Sequence, residues 1–295
     1  MSLTSPFSTA LPADVGLNAQ RLDRLRLVLQ SEIDRARLPG AVALIARRGK
    51  LALFEALGQQ DPAGGVPMAR DSLFRIYSMT KPIVSVAIMM LLEQGRLLLS
   101  DPVSKFLPEY AAQQLAVERQ GGLDLQPVTP GATVQDLLRH TAGLTYEFLG
   151  MSAVQRQYAT VRIGSRERSN AEFSQALAAL PLMAPPGTVW EYSRATDVLG
   201  RLVEVLSGQS LGDFLHDHIF LPLGMLETGF WVPSEHHGRI AEPFARDPEG
   251  GVAMALFDPR QQPQMESGGG GLVSTAMDYA RFLQFLLNKG ELGGV

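Results

Sequence analysis

The sequence feature that most constrains the fold is the run at 83–92, IVSVAIMMLL, in which nearly every position is apolar. A helix over 79–94 is therefore apolar on nearly every side, and such a helix has to be buried among other elements. As a helix the run is too short to cross a bilayer. The chain can supply the surrounding core, because 45% of its 295 residues are hydrophobic and only 19% are charged. This composition excludes global disorder.

The helix begins with a serine and a lysine three residues apart, Ser78 and Lys81. Ser78 could be an N-cap, because a serine hydroxyl accepts a hydrogen bond from a backbone N–H, and Pro82 is tolerated in a first helical turn. Alternatively, Ser78 is a nucleophile and Lys81 takes up its proton, since residues three apart share a helix face. Lys81 fits capping poorly, because a capping box has Glu or Gln there and a cation opposes the helix dipole.

The rest of the chain reads as a mixture of helices and short strands. Helical periodicity covers 17–37, 195–208, 210–220 and 275–290, and strands are predicted at 41–50, 51–58 and 73–78, the last leading into Ser78. Residues 96–190 show short helical pieces and no clear strand pattern. SGGGG at 267–271 predicts a turn or a close-packed backbone, because no Lys-Ser/Thr follows it as in a phosphate loop.

Composition excludes several functional classes. The formal net charge is −4 and there is no long basic run, which argues against a nucleic-acid partner. The chain has no cysteine, and its five histidines lack metal-ligand spacing, so we expect neither a metal nor a cofactor. The first residues lack a basic segment followed by an apolar one, so no signal peptide is recognised. We therefore expect a cytoplasmic protein without a membrane partner.

The tetrad Ser78-Met79-Thr80-Lys81 resembles the S-x-x-K motif of the penicillin-recognising serine hydrolases. Five further stretches resemble one branch of them, which contains the class C β-lactamases, the D-alanyl-D-alanine carboxypeptidases and the family VIII carboxylesterases. In chain order they are GRLLLSDPVSKFLPEY (95–110), LLRHTAGL (137–144), APPGTVWEYS (184–193), LPLGMLETGF (221–230) and SGGGGLVSTAMDYARFL (267–283). Together they cover the chain from about residue 20 to about residue 290.

The resemblance implies a β-lactamase/transpeptidase-like α+β fold, an antiparallel sheet flanked by helices plus a mostly helical region. It predicts a sheet domain of 1–95 and 200–295, a helical domain of 96–199, and an active site between them. It also implies that Ser78 forms an acyl-enzyme while Lys81 and Tyr192 move its proton, without saying which of the two is the base. The oxyanion donors would be the serine N–H and one N–H of a late strand. Arg194 and Tyr146 are candidate substrate-binding residues.

Two departures from the family pattern shape the prediction. Position 194 is Arg where the β-lactamases have Asn, and a cation there fits an esterase better. No credible K-T-G, H-x-G or W-x-G motif is found late in the chain, since the nearest match, at His237-Gly238, lies in a polar loop before the SGGGG stretch and too early in the order. We therefore expect a member shortened at its C-terminus that lacks the last strands of the sheet, with an exposed edge that favours association.

The leading hypothesis is a carboxylesterase that hydrolyses small or short-chain esters. Three rivals stay open: a β-lactamase, D-alanyl-D-alanine peptidase or acyltransferase with the same Ser-Lys-Tyr site, a non-catalytic penicillin-recognising binding protein, and an incomplete fragment of an active enzyme. The expected partner is a small-molecule ester or a β-lactam. The sequence does not predict the oligomeric state.

Overall fold

The computed structural model describes residues 7–119, 122–254 and 256–294. These residues form two compact units. The first unit contains the described residues up to Arg75, the segment Ile219–Gln262 and the described residues from Val273 onward. The second unit contains Ile76–His218 and Pro263–Leu272. No helix within the described residues has both the length and the apolar character needed to span a membrane.

The regular elements of the described residues are named in chain order. The strands are β1 (Ser8–Thr9), β2 (Gly40–Arg47), β3 (Lys50–Asp61), β4 (Val66–Pro67), β5 (Phe74–Arg75), β6 (Gln114–Arg119), β7 (Gly122–Pro127) and β8 (Val273–Ser274). The α-helices are α1 (Ala19–Asp34), α2 (Thr80–Glu93), α3 (Val134–Leu138), α4 (Ala153–Thr160), α5 (Asn170–Ala178), α6 (Ala195–Ser207), α7 (Leu211–Leu215), α8 (Leu221–Leu223) and α9 (Ala276–Leu287). Short 3-10 turns cover Pro12–Val15, Tyr77–Met79, Val103–Lys105, Pro108–Ala112 and Ser234–Arg239, and a π-helical turn covers His216–Phe220.

The main sheet of the first unit has the strand order β1-β3-β2, and β4 also pairs with β3. β2 and β3 form an antiparallel hairpin whose turn, Arg48–Gly49, has φ values of 55° and 69°. Positive φ at both central residues is typical of a type I′ turn, whose twist matches that of paired strands. The two strands predicted over 41–58 are confirmed, as is the helix predicted over 17–37, which is α1.

Side chains of this sheet are only partly buried. No residue of β2 or α1 is fully buried, and Gln60 is the one buried residue of β3. The Gln60 amide accepts a hydrogen bond from Ser72 Oγ at 2.6 Å. Strands β2 and β3 and helix α1 therefore contribute few fully buried side chains to the core of the first unit.

A second strand pair of the first unit leads to the predicted nucleophile. β5 pairs with β8 in antiparallel fashion, with Phe74 opposite Ser274. Four buried residues form a small core around this pair: Leu73, Val232, Ile240 and Val273. The strand predicted over 73–78 is shorter in the structure, because the chain turns at Tyr77, where φ is +43°.

The second unit is built around α2 and α6. In α2 the side chains of Ile83, Val84, Ala87 and Ile88 have no solvent exposure, which confirms that this helix is buried. Helix α6 packs against α2 and carries nine buried residues, and Gly208 ends it with φ of +77°. A left-handed glycine at this position satisfies the last carbonyls of a helix. The predicted helix over 195–208 is therefore confirmed.

The region 96–190 contains a β-hairpin, so the expectation that it holds no strand is wrong. β6 and β7 pair in antiparallel fashion over six residues each, from Gln114 opposite Pro127 to Arg119 opposite Gly122. Residues 120 and 121 lie outside the described residues. In β7 the side chains are exposed or only partly buried. The alternation is present, with Leu115 and Val117 in β6 and Leu123 and Leu125 in β7, but each run is short, which explains why the pattern was missed.

The α+β fold class predicted from the sequence is confirmed. The predicted domain limits at 95–96 and 199–200 stay a prediction about folding domains. The compact units group the residues differently, since α2, α6 and the glycine run at 268–271 lie in one unit together with the helical region.

Candidate active site

Ser78 lies in the 3-10 turn that leads into α2, and its side chain is exposed. The preceding residue, Tyr77, adopts φ of +43°, a conformation that a bulky residue rarely adopts and that costs free energy. The N-cap position of α2 belongs to Met79, and no side chain caps the helix. The capping interpretation of Ser78 is therefore wrong.

Two side chains donate hydrogen bonds to the hydroxyl of Ser78. Lys81 Nζ lies 3.1 Å from Ser78 Oγ, as expected for residues three apart on one helix. Tyr192 OH lies 2.5 Å from the same oxygen. The structure thus brings together the three residues predicted to be catalytic, with the serine oxygen between the amine and the phenol.

Lys81 is buried, with 9% of its surface exposed. Besides Ser78, its amine donates to Tyr146 OH at 3.1 Å and to the carbonyl of Gly269 at 2.6 Å. An ammonium group has three N–H donors, so these three partners satisfy all of them. The amine also lies 4.5 Å from the ring centre of Tyr192. These contacts on several sides therefore hold the Lys81 amine in its position next to Ser78.

Tyr146 lies beside the amine of Lys81. Burial, together with the negative charge of Asp197, raises the pKa of Tyr146 above its ordinary value. A phenol with a raised pKa keeps its proton at neutral pH, which disfavours Tyr146 as a general base. Its predicted role in substrate binding stays a prediction, while its observed contact is with the amine of Lys81.

Arg194 forms ion pairs with two carboxylates. Its side chain, 11% exposed, binds Glu147 and lies 3.5 Å from Asp197. The guanidinium also covers the ring of Tyr146 at 4.8 Å. A Cβ at Gly164 would lie 2.3 Å from Arg194 Nη2, so only glycine leaves room for this arrangement. The predicted substrate-binding role of Arg194 stays a prediction, and these contacts indicate that it positions neighbouring side chains.

Asp197, in the first turn of α6, connects Arg194 to the glycine run at 268–271. Its Oδ1 accepts from the N–H of Gly269 at 2.9 Å and from Ser267 Oγ at 2.5 Å. A Cβ at Gly269 would lie 2.7 Å from Asp197 Oδ2, and one at Gly268 would lie 2.6 Å from the carbonyl of Thr196. The prediction of a close-packed glycine backbone is confirmed, and the Gly269 carbonyl of this run accepts from Lys81.

The sequence analysis did not identify Asp197 or the hydrogen bond that the Gly269 carbonyl accepts from Lys81. An acidic residue in the first turn of a helix is common, because it complements the helix dipole, so Asp197 carried no specific signal. The glycine run did carry one, since four consecutive glycines indicate a backbone that approaches another segment closely.

Tyr146, Tyr192 and His140 form a cluster of aromatic rings. The ring centre of Tyr192 lies 5.3 Å from that of Tyr146 and 5.0 Å from that of His140. Burial, and after it the charge of Lys81, lowers the pKa of His140 to about 4. His140 is therefore neutral at neutral pH, and its Nδ1 lies 3.2 Å from Ser193 Oγ. Among the described residues, no group of three or more His, Asp or Glu side chains could hold a metal ion.

Comparisons with known proteins identify the family of the chain. The family model described as Beta-lactamase matches residues 25–294. The chain is 36% identical over 303 residues to Esterase EstB of Burkholderia gladioli, covering 96% of this chain and 74% of that protein. It is 35% identical over 277 residues to Protein Rv1367c of Mycobacterium tuberculosis, covering 93% of this chain and 68% of that protein.

Among solved structures, EstCE1, described as a hydrolase with promiscuous acyltransferase activity, has a TM-score of 0.76. It is 31% identical in sequence, and the match covers 93% of this chain and 74% of that chain.

Proposed function

Because the chain belongs to the beta-lactamase family, we propose that it is a carboxylesterase that cleaves small or short-chain esters through an acyl-enzyme on Ser78. The observation that carries the proposal is the serine hydroxyl held between two proton-carrying groups, with Lys81 Nζ at 3.1 Å and Tyr192 OH at 2.5 Å. A serine hydroxyl is a weak nucleophile until an adjacent base removes its proton. The similarity to Esterase EstB supports the choice of an ester as substrate, and EstCE1 is described as a hydrolase.

In the proposed reaction, Ser78 Oγ attacks the ester carbonyl and its proton passes to Lys81 or Tyr192. Whichever group accepts the proton must first have lost its own. The tetrahedral intermediate then expels the alcohol, which takes up that proton as it leaves. A water molecule then attacks the acyl-enzyme and gives a proton to the same group. The second tetrahedral intermediate breaks its bond to Ser78 Oγ, which takes that proton back as the acid leaves, so that the starting enzyme is restored. The N–H of Ser78 is a proposed donor to the oxyanion, an interaction typically worth about 3 kcal/mol.

Acyl transfer to an alcohol is a second proposed activity. It uses the same acyl-enzyme, with an alcohol in place of water, and the description of EstCE1 favours it. β-Lactam cleavage has less support, because position 194 carries a guanidinium bound to Glu147 and Asp197, and not the amide of the β-lactamases. The cytoplasmic location and the absence of nucleic-acid and membrane partners stay predictions.

The proposal is tested first by covalent labelling. A fluorophosphonate should add one label per chain, and peptide mass spectrometry should place the label on the peptide that contains Ser78. A label on another serine, in a preparation that hydrolyses esters, would rule out Ser78 as the nucleophile. Labelling at Ser78 without turnover of any ester would favour the non-catalytic binding protein.

A kinetic comparison tests the substrate class. We expect kcat/KM for p-nitrophenyl acetate or p-nitrophenyl butyrate to exceed the value for nitrocefin under the same conditions. A higher value for nitrocefin would reverse the ranking and identify a β-lactamase. Adding a simple alcohol to the ester assay and measuring the transesterified product tests acyl transfer.

A further inference from the structure

Two aromatic side chains beside the proposed active site are largely exposed. Trp190 is 65% exposed and Phe148 is 67% exposed. The Trp190 ring stacks on Tyr192 with centres 6.3 Å apart, and the Phe148 ring stacks on Tyr146 with centres 4.7 Å apart. Since the tyrosines contact Ser78 and Lys81 and lie 5.3 Å from each other, the four rings form a continuous series that passes the nucleophile.

Both exposed rings are held by well-bonded segments. Trp190 lies between two backbone hydrogen bonds, from Gly187 N to Thr141 O at 2.8 Å and from Glu191 N to His140 O at 2.9 Å. Its ring also packs edge-on against His140. When a ligand covers a large apolar ring that an ordered backbone holds in water, the free energy of the complex falls. Little conformational entropy is lost on binding, because the backbone is already ordered.

Phe148 is fixed in a similar way. The residue before it, Glu147, is ion-paired with Arg194, and Ser152 caps helix α4 four residues later through the N–H of Gln155. Single exposed apolar residues are ordinary, but exposed rings continuous with a reactive serine are typical of a ligand site.

The charged residues next to the two tyrosines are already engaged. Glu147 and Arg194 bind each other, and Glu191 accepts from Thr145 Oγ1 at 2.9 Å. A ligand carboxylate would have to break an ion pair to reach Arg194. This arrangement favours an uncharged apolar group.

We propose that Trp190 and Phe148 form a subsite for a flat, uncharged apolar ring carried by the ester substrate. The inference rests on the proposed esterase function and names its substrate class: esters with a small reacting carbonyl and an aryl group on one side of it. Stacking of the ligand ring on Trp190 places the carbonyl near Ser78, because Tyr192 connects the two. The ring can belong to the acyl part or to the alcohol part of the ester.

A binding experiment tests the subsite without turnover. The chain has two tryptophans, so the double variant Ser78→Ala, Trp231→Phe leaves Trp190 as the only indole. We expect its fluorescence to change in a saturable way on titration with benzyl acetate or with phenyl 3-phenylpropanoate, and to stay constant with methyl acetate. No change with either aryl ester up to its solubility limit would overturn the subsite.

A kinetic experiment separates the subsite from the esterase activity. The ratio of kcat/KM for p-nitrophenyl 3-phenylpropanoate to that for p-nitrophenyl acetate measures the preference for a ring in the acyl part. The ratio of kcat/KM for benzyl acetate to that for methyl acetate measures the preference for a ring in the alcohol part. We expect Trp190→Ala to lower at least one ratio roughly tenfold and Phe148→Ala to lower it several-fold. Trp231→Ala, in the first unit, is the matched control and should leave both ratios unchanged.

The outcomes distinguish the two proposals. Ester hydrolysis with both ratios unaffected by Trp190→Ala would overturn the subsite and leave the esterase function in place. Saturable fluorescence changes in a protein that hydrolyses no ester would support the subsite and overturn the esterase.

Discussion

Helices α2 and α6 of the second unit are buried more completely than strand β2 and helix α1 of the first unit. The two helices carry side chains with no solvent exposure, and Ser78, Lys81, Tyr192, Tyr146 and Asp197 all lie in their unit. β2 and α1 have no fully buried residue, whereas α9 of the first unit has four. The candidate site therefore lies in a dense helical core, whose side chains have few alternative positions, and not on the strands β2 and β3. Substitutions in the two units should therefore have different consequences.

The largest contrast is expected for Ser78, the proposed nucleophile. Ser78→Ala should lower kcat for p-nitrophenyl butyrate by roughly 10⁵-fold or more, because the proposed acyl-enzyme forms on the hydroxyl that this variant lacks. The matched control Ser234→Ala changes an exposed serine of the first unit and should leave kcat unchanged. Residual activity of Ser78→Ala near that of the control would contradict the proposed mechanism.

The second contrast concerns the proton carrier. Lys81→Arg should lower kcat by about 10²–10⁴-fold, nearly as much as Lys81→Ala, because a guanidinium keeps its proton. Lys50→Arg, at an exposed position in β3, is the control. If Lys81→Arg kept most of the activity, Lys81 would be a structural cation. Tyr192→Phe tests the phenol in the same assay.

The third contrast is a pH dependence of stability with opposite signs in the two units. Burial and the charge of Lys81 lower the pKa of His140 from 6.5 to about 4, whereas burial raises the pKa of Asp278 from 3.8 to about 6. Between pH 4 and 6 the unfolded chain binds more protons than the folded chain at His140, so this contribution to stability rises with pH. At Asp278 the folded chain binds more protons than the unfolded chain, so the contribution of Asp278 to stability falls as pH rises.

Each of these contributions amounts to at most about 3 kcal/mol. Urea unfolding at several pH values should show a more negative slope of stability against pH in His140→Gln than in the wild type, because the rising contribution of His140 is removed. Asp278→Asn should show the opposite change of slope. Equal slopes in all three proteins would mean that neither group has an altered pKa.

The fourth contrast concerns the carboxylate behind the glycine run. Asp197→Asn should cost about 1–3 kcal/mol of stability, because an amide cannot accept from Ser267 and Gly269 and also pair with Arg194. It should also lower kcat more than it raises KM, since the Gly269 carbonyl holds Lys81. Asp71→Asn, an exposed partner of Arg239 in the first unit, is the control and should change neither. A loss of stability with normal kcat would leave Asp197 a structural role only.

The smallest contrast tests packing alone. Ile83 in α2 is fully buried and Ile45 in β2 is partly buried. Ile83→Val should cost about 0.5–1.5 kcal/mol, the range for a buried methylene, and Ile45→Val should cost less. Urea unfolding of both variants measures the difference, and an equal cost would show that the two positions are packed equally well.

Much of this fold could be predicted because its signals are local. The apolar run at 83–92 indicated a buried helix, the pattern over 41–58 indicated a hairpin, and Gly208 indicated a helix end. The hairpin over 114–127 escaped prediction, because its alternating apolar positions, Leu115 with Val117 and Leu123 with Leu125, form runs too short to stand out. Ser78 and Lys81 could be paired from the sequence alone, since three residues along a helix place two side chains on one face. Tyr192 was identified by resemblance to the family.

Local patterns in the sequence indicated the buried helix, the Ser-Lys pair at its start and a glycine run with a close-packed backbone. Only the folded chain shows that the neighbour of this run is Asp197, and that Lys81 is held by Tyr146 and Gly269, which are 65 and 188 residues away along the chain. It also shows that Arg194 faces two carboxylates and that Trp190 and Phe148 lie exposed against Tyr192 and Tyr146. The physical reason is that periodicity and capping report contacts within a few residues, whereas contacts between distant segments depend on how the whole core packs.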